Sequence, residues 1–141
     1  MTKLAEHQKI VPFLFYEDVS AAIGWLSSAL GFEEHFRLEM PDGKVMHAEV
    51  RMGDAVVALG PADEPRPGPQ RSSVYVFVDD VDAHFERAKA AGVAYGHEPQ
   101  DMPFGDRIYP AFDLENNSWY FAQHLRDMTT DEVRAAMSQR G

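Results

Sequence analysis

The stretch FLFYEDVSA at residues 13–21 decides the fold, because its pattern recurs 62 residues later as YVFVDDVDA at residues 75–83. In each copy a short apolar run predicts a β-strand. An aspartate, Asp18 or Asp80, follows at a position typical of a helix N-cap. One internal repeat of about sixty residues indicates a duplicated supersecondary unit rather than a long solenoid.

Each copy continues in the same order, as strand, helix and then three strands. Gly31 and Gly92 follow the two helical patterns and predict their ends. The sequence therefore predicts an α+β fold of two tandem βαβββ modules whose curved sheets form a cup. The expected strands lie at 10–16, 32–38, 44–52 and 55–60 in the first copy, and at 73–78, 94–97, 107–113 and 118–124 in the second.

The expected domain organisation is one domain over residues 1–127, with modules at about 9–60 and about 72–124. Between them, residues 61–70 (PADEPRPGPQ) contain four prolines and predict a surface linker or, alternatively, a mobile flap over a ligand. Residues 100–105 are expected to form a loop. Residues 128–141 are expected to form a helical tail that starts at Thr129 or Thr130.

The charge balance narrows the classes of partner. The chain has 13 Lys and Arg against 23 Asp and Glu, a net charge of −10, which argues against nucleic acid and anionic membrane surfaces. The acidity favours either solubility or a cationic ligand. No cysteine is present, so thiolate catalysis and Cys-ligated metals are excluded. No apolar run of membrane-spanning length and no signal peptide is visible, so we expect a cytoplasmic protein.

The polar candidates for chemistry are few. His47 and Glu49 lie two apart on one predicted strand and share a sheet face. They favour a general acid/base pair or a makeshift metal site, or else a polar strand face on which Arg51 completes a His-Glu-Arg cluster. His124, after the last strand, either closes over the cup, caps the strand or contacts the tail helix. Arg107 either binds a carboxylate or phosphate of a ligand or forms a surface salt bridge.

Aromatic residues are the stronger signal for binding. Alternation along the strands predicts that Trp119 and Phe121 point toward the helices. The opposite, concave face then either forms an apolar pocket or fills the core between the modules. The aromatic residues expected on that concave face are Phe13, Phe15, Tyr75, Phe77 and Tyr120.

Residues 10–124 resemble the vicinal oxygen chelate superfamily, in its glyoxalase, bleomycin-resistance protein and dioxygenase branch. The resemblance rests on the strand-to-helix junction at 15–22, on ALGF at 29–32, on HAEVRMGD at 47–54 and on the stretch from FGDR at 104–107 to WYF at 119–121. One departure is the turn before the last strand. It has Asp113-Leu114-Glu115-Asn116 where the family usually has Asp-Pro-x-Gly, and Asn is expected to preserve the turn.

The resemblance implies four metal-ligand positions, which fall on Val11 and Ala58 in the first module and on Ser73 and Tyr120 in the second. Valine and alanine offer no donor atom, and neutral serine and tyrosine are poor ligands. We therefore expect that the family's usual metal site is missing, and we expect no cofactor.

The resemblance then implies a small-molecule binding protein without metal, as in drug-sequestering antibiotic-resistance proteins, and a homodimer. The ligand-binding residues expected are Phe13, Phe15, Ala58, Tyr75, Arg107 and Tyr120. The alternative is an enzyme, a glyoxalase-like lyase, isomerase or dioxygenase that uses a rearranged site around His47 and Glu49, with a divalent metal only in that case.

Overall fold

A computed structural model of the chain describes residues 8–62 and 73–140. These residues form two compact units. Unit 1 comprises residues 8–62 together with the turn Asp113–Asn116, and unit 2 comprises residues 73–112 and 117–140. Each unit contains one β-sheet, and each carries one copy of the sequence repeat.

Unit 1 is a four-stranded sheet with one helix. The sheet order is β1-β4-β3-β2; β1 runs parallel to β4, and the other neighbours are antiparallel. This βαβββ arrangement confirms the prediction for the first copy. In chain order the elements are β1 (Phe13–Tyr16), α1 (Val19–Leu30), β2 (Glu33–Glu39), β3 (Val45–Met52) and β4 (Ala55–Pro61).

Helix α1 begins and ends as the sequence predicts. The Asp18 side chain accepts a hydrogen bond from the Ala21 backbone N–H at 3.0 Å, which satisfies one of the helix's unpaired donors. Gly31 ends the helix in the left-handed region, with φ of 81°. The apolar side of α1, including Leu26 and Leu30, is fully buried in the core. One face of the unit 1 sheet is therefore covered by a helix.

Unit 2 repeats this plan with one added short strand. Its sheet order is β5-β9-β8-β6, with β5 parallel to β9, and β7 also pairs with β8. Gln100 and Asp101 were expected in a loop but form β7, because they pair with Ile108 and Arg107. In chain order the elements are β5 (Ser73–Phe77), α2 (Val81–Ala90), β6 (Ala94–Tyr95), β7 (Gln100–Asp101), β8 (Asp106–Phe112), β9 (Ser118–His124) and α3 (Thr130–Arg140).

Aromatic packing under α2 forms the core of unit 2. Trp119 and Phe121 are fully buried, as their predicted orientation toward the helix requires. His84 of α2 stacks on Phe121 with ring centroids 4.1 Å apart, and its Nδ1 lies 2.6 Å from the Tyr109 hydroxyl. Burial raises the pKa of Tyr109 far above its usual value. His84 is thus a partly buried histidine that packs against the aromatic residues under α2.

The turn Asp113–Asn116 is held within unit 1. The Tyr16 hydroxyl donates a hydrogen bond to Asp113 Oδ2 at 2.6 Å, and both side chains are buried. The Glu115 carboxylate accepts the backbone N–H groups of Glu17 and Asp18 at 2.7 and 3.1 Å. Asn116 has φ of 69°, so asparagine does take the left-handed position expected of it.

The two segments that flank the modules differ in how far the structure describes them. Of the predicted linker, Pro61 is the last residue of β4 and pairs with Tyr16, and residues 63–70 lie outside the described residues. The tail helix α3 starts with a reciprocal cap in which Thr129 Oγ1 accepts the Glu132 N–H and Glu132 accepts the Thr129 N–H. Within residues 8–62 and 73–140, no helix combines the length and apolar character that a membrane span needs.

Candidate functional sites on the two sheets

Unit 1 presents aromatic side chains on the sheet face opposite α1. Along β1 the side chains alternate, with Leu14 and Tyr16 buried, whereas Phe13 and Phe15 are 44% and 41% exposed. Strand pairing places Phe13 beside Ala58 and Ala58 beside Glu49. We call this surface the unit 1 open face. Its residues are Phe13, Phe15, Ala58, His47 and Glu49, together with His35 and Phe36 of β2.

The Phe13 ring lies over a glycine. A Cβ added to Gly60 would come within 2.8 Å of Phe13 Cε1 and 2.9 Å of Cζ, well inside ordinary carbon contact. The ring also contacts Phe15, with centroids 4.9 Å apart, and His47 at 5.7 Å. The absence of a side chain at Gly60 therefore leaves room for the Phe13 ring at this place on the open face.

Two histidines flank one buried carboxylate on this face. His47 Nε2 lies 3.3 Å from Glu49 Oε2, and His35 Nε2 lies 4.0 Å from Glu49 Oε1. The Glu49 side chain is only 6% exposed, and the His47 side chain is 29% exposed. The structure thus brings the predicted His47 and Glu49 pair together and adds His35.

A β-bulge explains how His35 reaches Glu49. The register of β2 against β3 shifts between Glu34 and Phe36, so that two residues of β2 lie opposite Glu49. A regular strand would alternate His35 and Phe36 to opposite faces. The Phe36 ring also lies near His47, with centroids 6.1 Å apart. The sequence carries no local signal for this bulge, so it did not predict that His35 approaches Glu49.

Arg51 does not complete a His-Glu-Arg cluster. Its Nε and Nη2 donate to Glu33 Oε2 at 3.1 and 3.0 Å, so the guanidinium is held by the edge strand β2. The Arg51–Glu33 ion pair therefore extends the row of polar side chains along β3, away from His47 and Glu49.

Unit 2 has a comparable face around two tyrosines. Tyr75 and Tyr120 pair across β5 and β9 and lie stacked, with centroids 6.4 Å apart and planes within 19°. Phe77 lies 5.2 Å from Tyr75 and is 58% exposed. The predicted orientation of these aromatic residues away from the buried Trp119 is confirmed. We call this surface, formed by Tyr75, Phe77 and Tyr120, the unit 2 open face.

A chain of hydrogen bonds starts at Tyr75. Its hydroxyl donates to Asp106 Oδ2 at 3.0 Å, and His124 Nδ1 lies 2.7 Å from Asp106 Oδ1. The other ring nitrogen of His124 lies 2.7 Å from Asp127 Oδ1. Burial and then the Asp106 carboxylate raise the pKa of Tyr75 to about 12. Hydrogen bonds to Asp106 and Asp127 raise the pKa of His124.

Sequence reasoning missed this chain. Asp106 and His124 are directly opposed in the β8–β9 hairpin, whereas counting back from the expected strand ends at 113 and 118 would have paired His124 with Arg107, one residue out of register. His124 contacts the strand and the segment after it, which fits its capping alternative.

Arg107 lies on the helix-covered side of unit 2. It pairs in register with Gln123, one residue out of phase with Tyr120 and Ala122. Its Nε donates to Asp82 of α2 at 3.0 Å and its Nη1 to Asp101 at 2.9 Å, and these hydrogen bonds raise its pKa. The structure brings Arg107 to these two carboxylates and not to the aromatic residues of the open face.

The four positions implied for a metal do not fit one. Val11 precedes β1 and Ala58 lies in β4, and neither side chain has a donor atom. Ser73 begins β5, and Tyr120 stacks on Tyr75. Among residues 8–62 and 73–140, no group of three or more His, Asp or Glu side chains has an arrangement suited to a metal ion.

Comparison with known proteins places this fold and these sites in a family. The model for the Glyoxalase/Bleomycin resistance protein/Dioxygenase superfamily matches residues 8–121. An uncharacterized protein of Mycobacterium bovis is 32% identical over 141 residues, which covers 92% of both chains. An uncharacterized protein of Mycobacterium tuberculosis is also 32% identical, over 92% of this chain and 82% of the other.

Solved structures agree. TioX from Micromonospora sp. ML1 is 34% identical and superposes with a TM-score of 0.71, over 84% of this chain and 99% of that one. The fosfomycin resistance protein FosX from Listeria monocytogenes is 17% identical, with a TM-score of 0.65 over 89% of this chain and 97% of that one, a likeness that concerns the fold alone. The two βαβββ modules, the matched residues and these relatives together establish that the chain belongs to the Glyoxalase/Bleomycin resistance protein/Dioxygenase superfamily.

Proposed function

We propose that this protein binds a small organic molecule on its aromatic open faces and that no metal takes part. The observation that carries the proposal is the exposure of several large aromatic side chains on the sheet faces that the helices leave uncovered. Apolar surface of this kind is usually buried in a monomer's core or used for binding. The implied ligand residues are Phe13, Phe15, Ala58, Tyr75 and Tyr120, without Arg107, whose guanidinium is engaged by Asp82 and Asp101.

The charge of the protein favours a cationic ligand. The chain carries a net charge of −10, and the buried Glu49 carboxylate lies on the same sheet face as the exposed rings of Phe13 and Phe15. Aromatic faces attract cations through their quadrupoles, and a neighbouring carboxylate adds to that attraction. A sequestering role, such as protection from a toxic aromatic drug in the cytoplasm, follows from this chemistry as the proposed use.

Binding of a planar aromatic probe tests the proposal. N-methylquinolinium, which is permanently cationic, should bind saturably, and EDTA should leave its affinity unchanged. Phe13→Ala or Tyr75→Ala should weaken binding by about tenfold, because each removes a large aromatic contact. Phe104→Ala is the matched control, since Phe104 is equally exposed but lies in a loop. Equal effects of Phe13→Ala and Phe104→Ala would contradict the proposal.

An enzymatic role is the second candidate, and the 3.3 Å contact between His47 and Glu49 favours it. A carboxylate beside one imidazole nitrogen orients the ring and favours proton transfer at the other. The reaction would be that of a lyase, isomerase or dioxygenase of this superfamily. Near-stoichiometric metal in protein purified without added metal or chelator, and turnover abolished by His47→Ala in a folded protein, would support this role over simple binding.

We also propose that the protein is a homodimer, an arrangement that the family resemblance suggests. Light scattering coupled to size exclusion would give twice the chain mass of 15.9 kDa. A monomer at micromolar concentration would refute it.

A further inference from the structure

The strongest unassigned feature is the buried carboxylate beside the tyrosines of the unit 2 open face. Strand pairing puts Tyr75 beside Tyr120 and puts Asp106 opposite His124. Tyr120 and His124 are four residues apart on β9, so their side chains lie on the same face of the sheet. Asp106 lies on that face with them, and its side chain is buried. The open face is therefore backed by a negative charge that its aromatic residues alone do not suggest.

The Asp106 carboxylate determines how the Tyr75 hydroxyl can interact with a ligand. A carboxylate oxygen accepts, so the hydroxyl hydrogen of Tyr75 is donated to Asp106 Oδ2, 3.0 Å away. Burial and then Asp106 raise the pKa of Tyr75 to about 12, so this hydrogen stays in place at neutral pH. The hydroxyl oxygen can still accept a hydrogen bond, but it has no second hydrogen to donate. A ligand on the open face therefore meets this hydroxyl as an acceptor.

The charges behind this hydroxyl favour a positively charged donor. The two ring nitrogens of His124 each lie 2.7 Å from a carboxylate oxygen, one of Asp106 and one of Asp127. The negative charges of both carboxylates raise the pKa of His124, and two carboxylates beside one imidazolium leave a net negative charge. Arg107, next to Asp106 in β8, pairs with two other carboxylates on the helix-covered side. A hydrogen bond from an ammonium N–H is stronger than one from a neutral donor, and this negative charge adds to its attraction.

Two exposed aromatic rings lie beside Tyr75 and can hold the apolar part of the same ligand. The ring centroids of Phe77 and Tyr120 are 5.2 and 6.4 Å from that of Tyr75. Aromatic rings supply apolar contact area, and their faces attract cations. The face thus combines apolar surface with one acceptor whose orientation is fixed.

We propose that Tyr75 recognises aromatic ammonium ions that carry at least one N–H, which donates to the Tyr75 hydroxyl oxygen while the aromatic part contacts Phe77 and Tyr120. Asp106 is the positioning residue, because it holds the hydroxyl hydrogen and so turns the hydroxyl into an acceptor. This inference rests on the proposed binding function. It adds the chemical class of the ligand and the residue that selects it.

Two cations that differ in a single N–H test the inference. N,N-dimethyl-1-naphthylmethylammonium carries one N–H, and its trimethyl counterpart carries a methyl group instead. In NMR titrations at about pH 7, where both are cations, the wild-type protein should bind the N–H probe about tenfold more tightly, as expected for a hydrogen bond from a charged donor. Tyr75→Phe keeps the ring but removes the acceptor. It should lower the ratio of the two affinities about tenfold and leave the affinity for the trimethyl probe within about threefold of wild type.

Two further variants separate recognition from structural effects. Tyr95→Phe is the matched control, because Tyr95 is also a partly exposed tyrosine of unit 2 but packs against Phe85 of α2, and it should keep the wild-type ratio. Asp106→Asn should lower the ratio and should also lower the pKa of Tyr75, followed by ¹³C NMR of the tyrosine Cζ carbon. If Asp106 served stability alone, the pKa of Tyr75 and the ratio would both stay as in wild type.

The outcomes separate the inference from the binding function. If both probes bind but the ratio is the same in wild type and Tyr75→Phe, or if Tyr75→Phe loses both probes alike, recognition by Tyr75 is refuted and the binding function stands. Equal affinity of the wild-type protein for 1-naphthalenemethanol, a neutral donor, would refute the ammonium class. If neither cation binds the wild-type protein, the binding function is refuted and this inference with it. Should Asp106→Asn fail to fold, Tyr75→Phe still decides the question, because it removes one oxygen atom from a partly exposed side chain.

Discussion

Gly60→Ala should displace the Phe13 ring without destabilising the protein. The added Cβ would lie 2.8 and 2.9 Å from two ring carbons of Phe13, whereas carbon atoms prefer about 3.5–4.0 Å, so the ring must move by roughly 0.7 Å or more. The nearest backbone atom, the Met46 carbonyl oxygen, is 3.9 Å away and imposes no strain. Since Phe13 is 44% exposed, its ring can swing outward.

The expected stability follows from two small terms of opposite sign. A glycine within a strand lowers the free energy of unfolding by about 0.5–1 kcal/mol relative to alanine, because glycine loses more backbone conformational freedom when the chain folds. Moving a half-exposed ring gives up part of its contacts with Phe15 and His47. We therefore expect the free energy of unfolding of Gly60→Ala to be unchanged or higher by up to about 1 kcal/mol.

The assay combines urea unfolding with NMR of the His47 ring protons. The Phe13 ring lies 5.7 Å from the His47 ring, so its displacement should change their ring-current shifts. Affinity for a planar aromatic probe should fall about 2- to 12-fold, which corresponds to the loss of roughly 0.5–1.5 kcal/mol of aromatic contact. Gly24→Ala is the control: a Cβ at Gly24 in α1 meets nothing within 4 Å, so stability should rise while the His47 shifts stay constant.

One result would refute the reasoning directly. Suppose that Gly60→Ala lowered the free energy of unfolding by more than about 1 kcal/mol while the NMR shifts of the His47 ring protons stayed constant. The Phe13 ring would then be a fixed part of the core, and β4 would have moved instead. The description of Phe13 as an adjustable part of a binding face would then be wrong.

Two further predictions concern hydrogen bonds. Tyr16→Phe should lower the free energy of unfolding by about 1.5–3 kcal/mol in urea denaturation, because it removes a buried 2.6 Å hydrogen bond to the Asp113 carboxylate; an unchanged midpoint would mean that this bond adds no net stability. Asp106 and Asp127 raise the pKa of His124 in the folded protein. Protonated His124 therefore stabilises the folded state below its usual pKa of about 6.5, and this stabilisation is lost as the pH rises through the higher pKa of the folded state. His124→Gln should therefore differ most from wild type at acidic pH, and a difference that grew toward alkaline pH would contradict this sign.

Much of the fold was predictable because its signals are local. Asp18 sets the start of α1 and Gly31 sets its end, each through the backbone groups that it caps, and neither effect depends on distant residues. Strand alternation alone assigned Phe13 and Tyr75 to open faces and Trp119 to the core. The short strand β7 was missed because two residues carry too little pattern to be recognised.

The candidate sites were predictable only in part. The contact between His47 and Glu49 follows from their spacing on one strand, which the sequence shows. The approach of His35 requires a bulge, whose position depends on how two strands slide into register. The sequence left open whether Arg107 binds a ligand or forms a salt bridge. Only the packing of α2 and β7 against β8 shows which carboxylates pair with its guanidinium.

By itself, then, the sequence determined the two βαβββ modules, their caps and turns, the mean direction of each strand's side chains and the chemical unsuitability of Val11 and Ala58 as metal ligands. These properties are set by neighbours along the chain or by the atoms of a single residue. The tertiary structure alone decided that Glu49 faces two imidazoles, that Phe13 lies over Gly60 and that Tyr75 reaches His124 through Asp106. Such contacts join residues distant in sequence, and their geometry is fixed by strand register and packing, which no local pattern encodes.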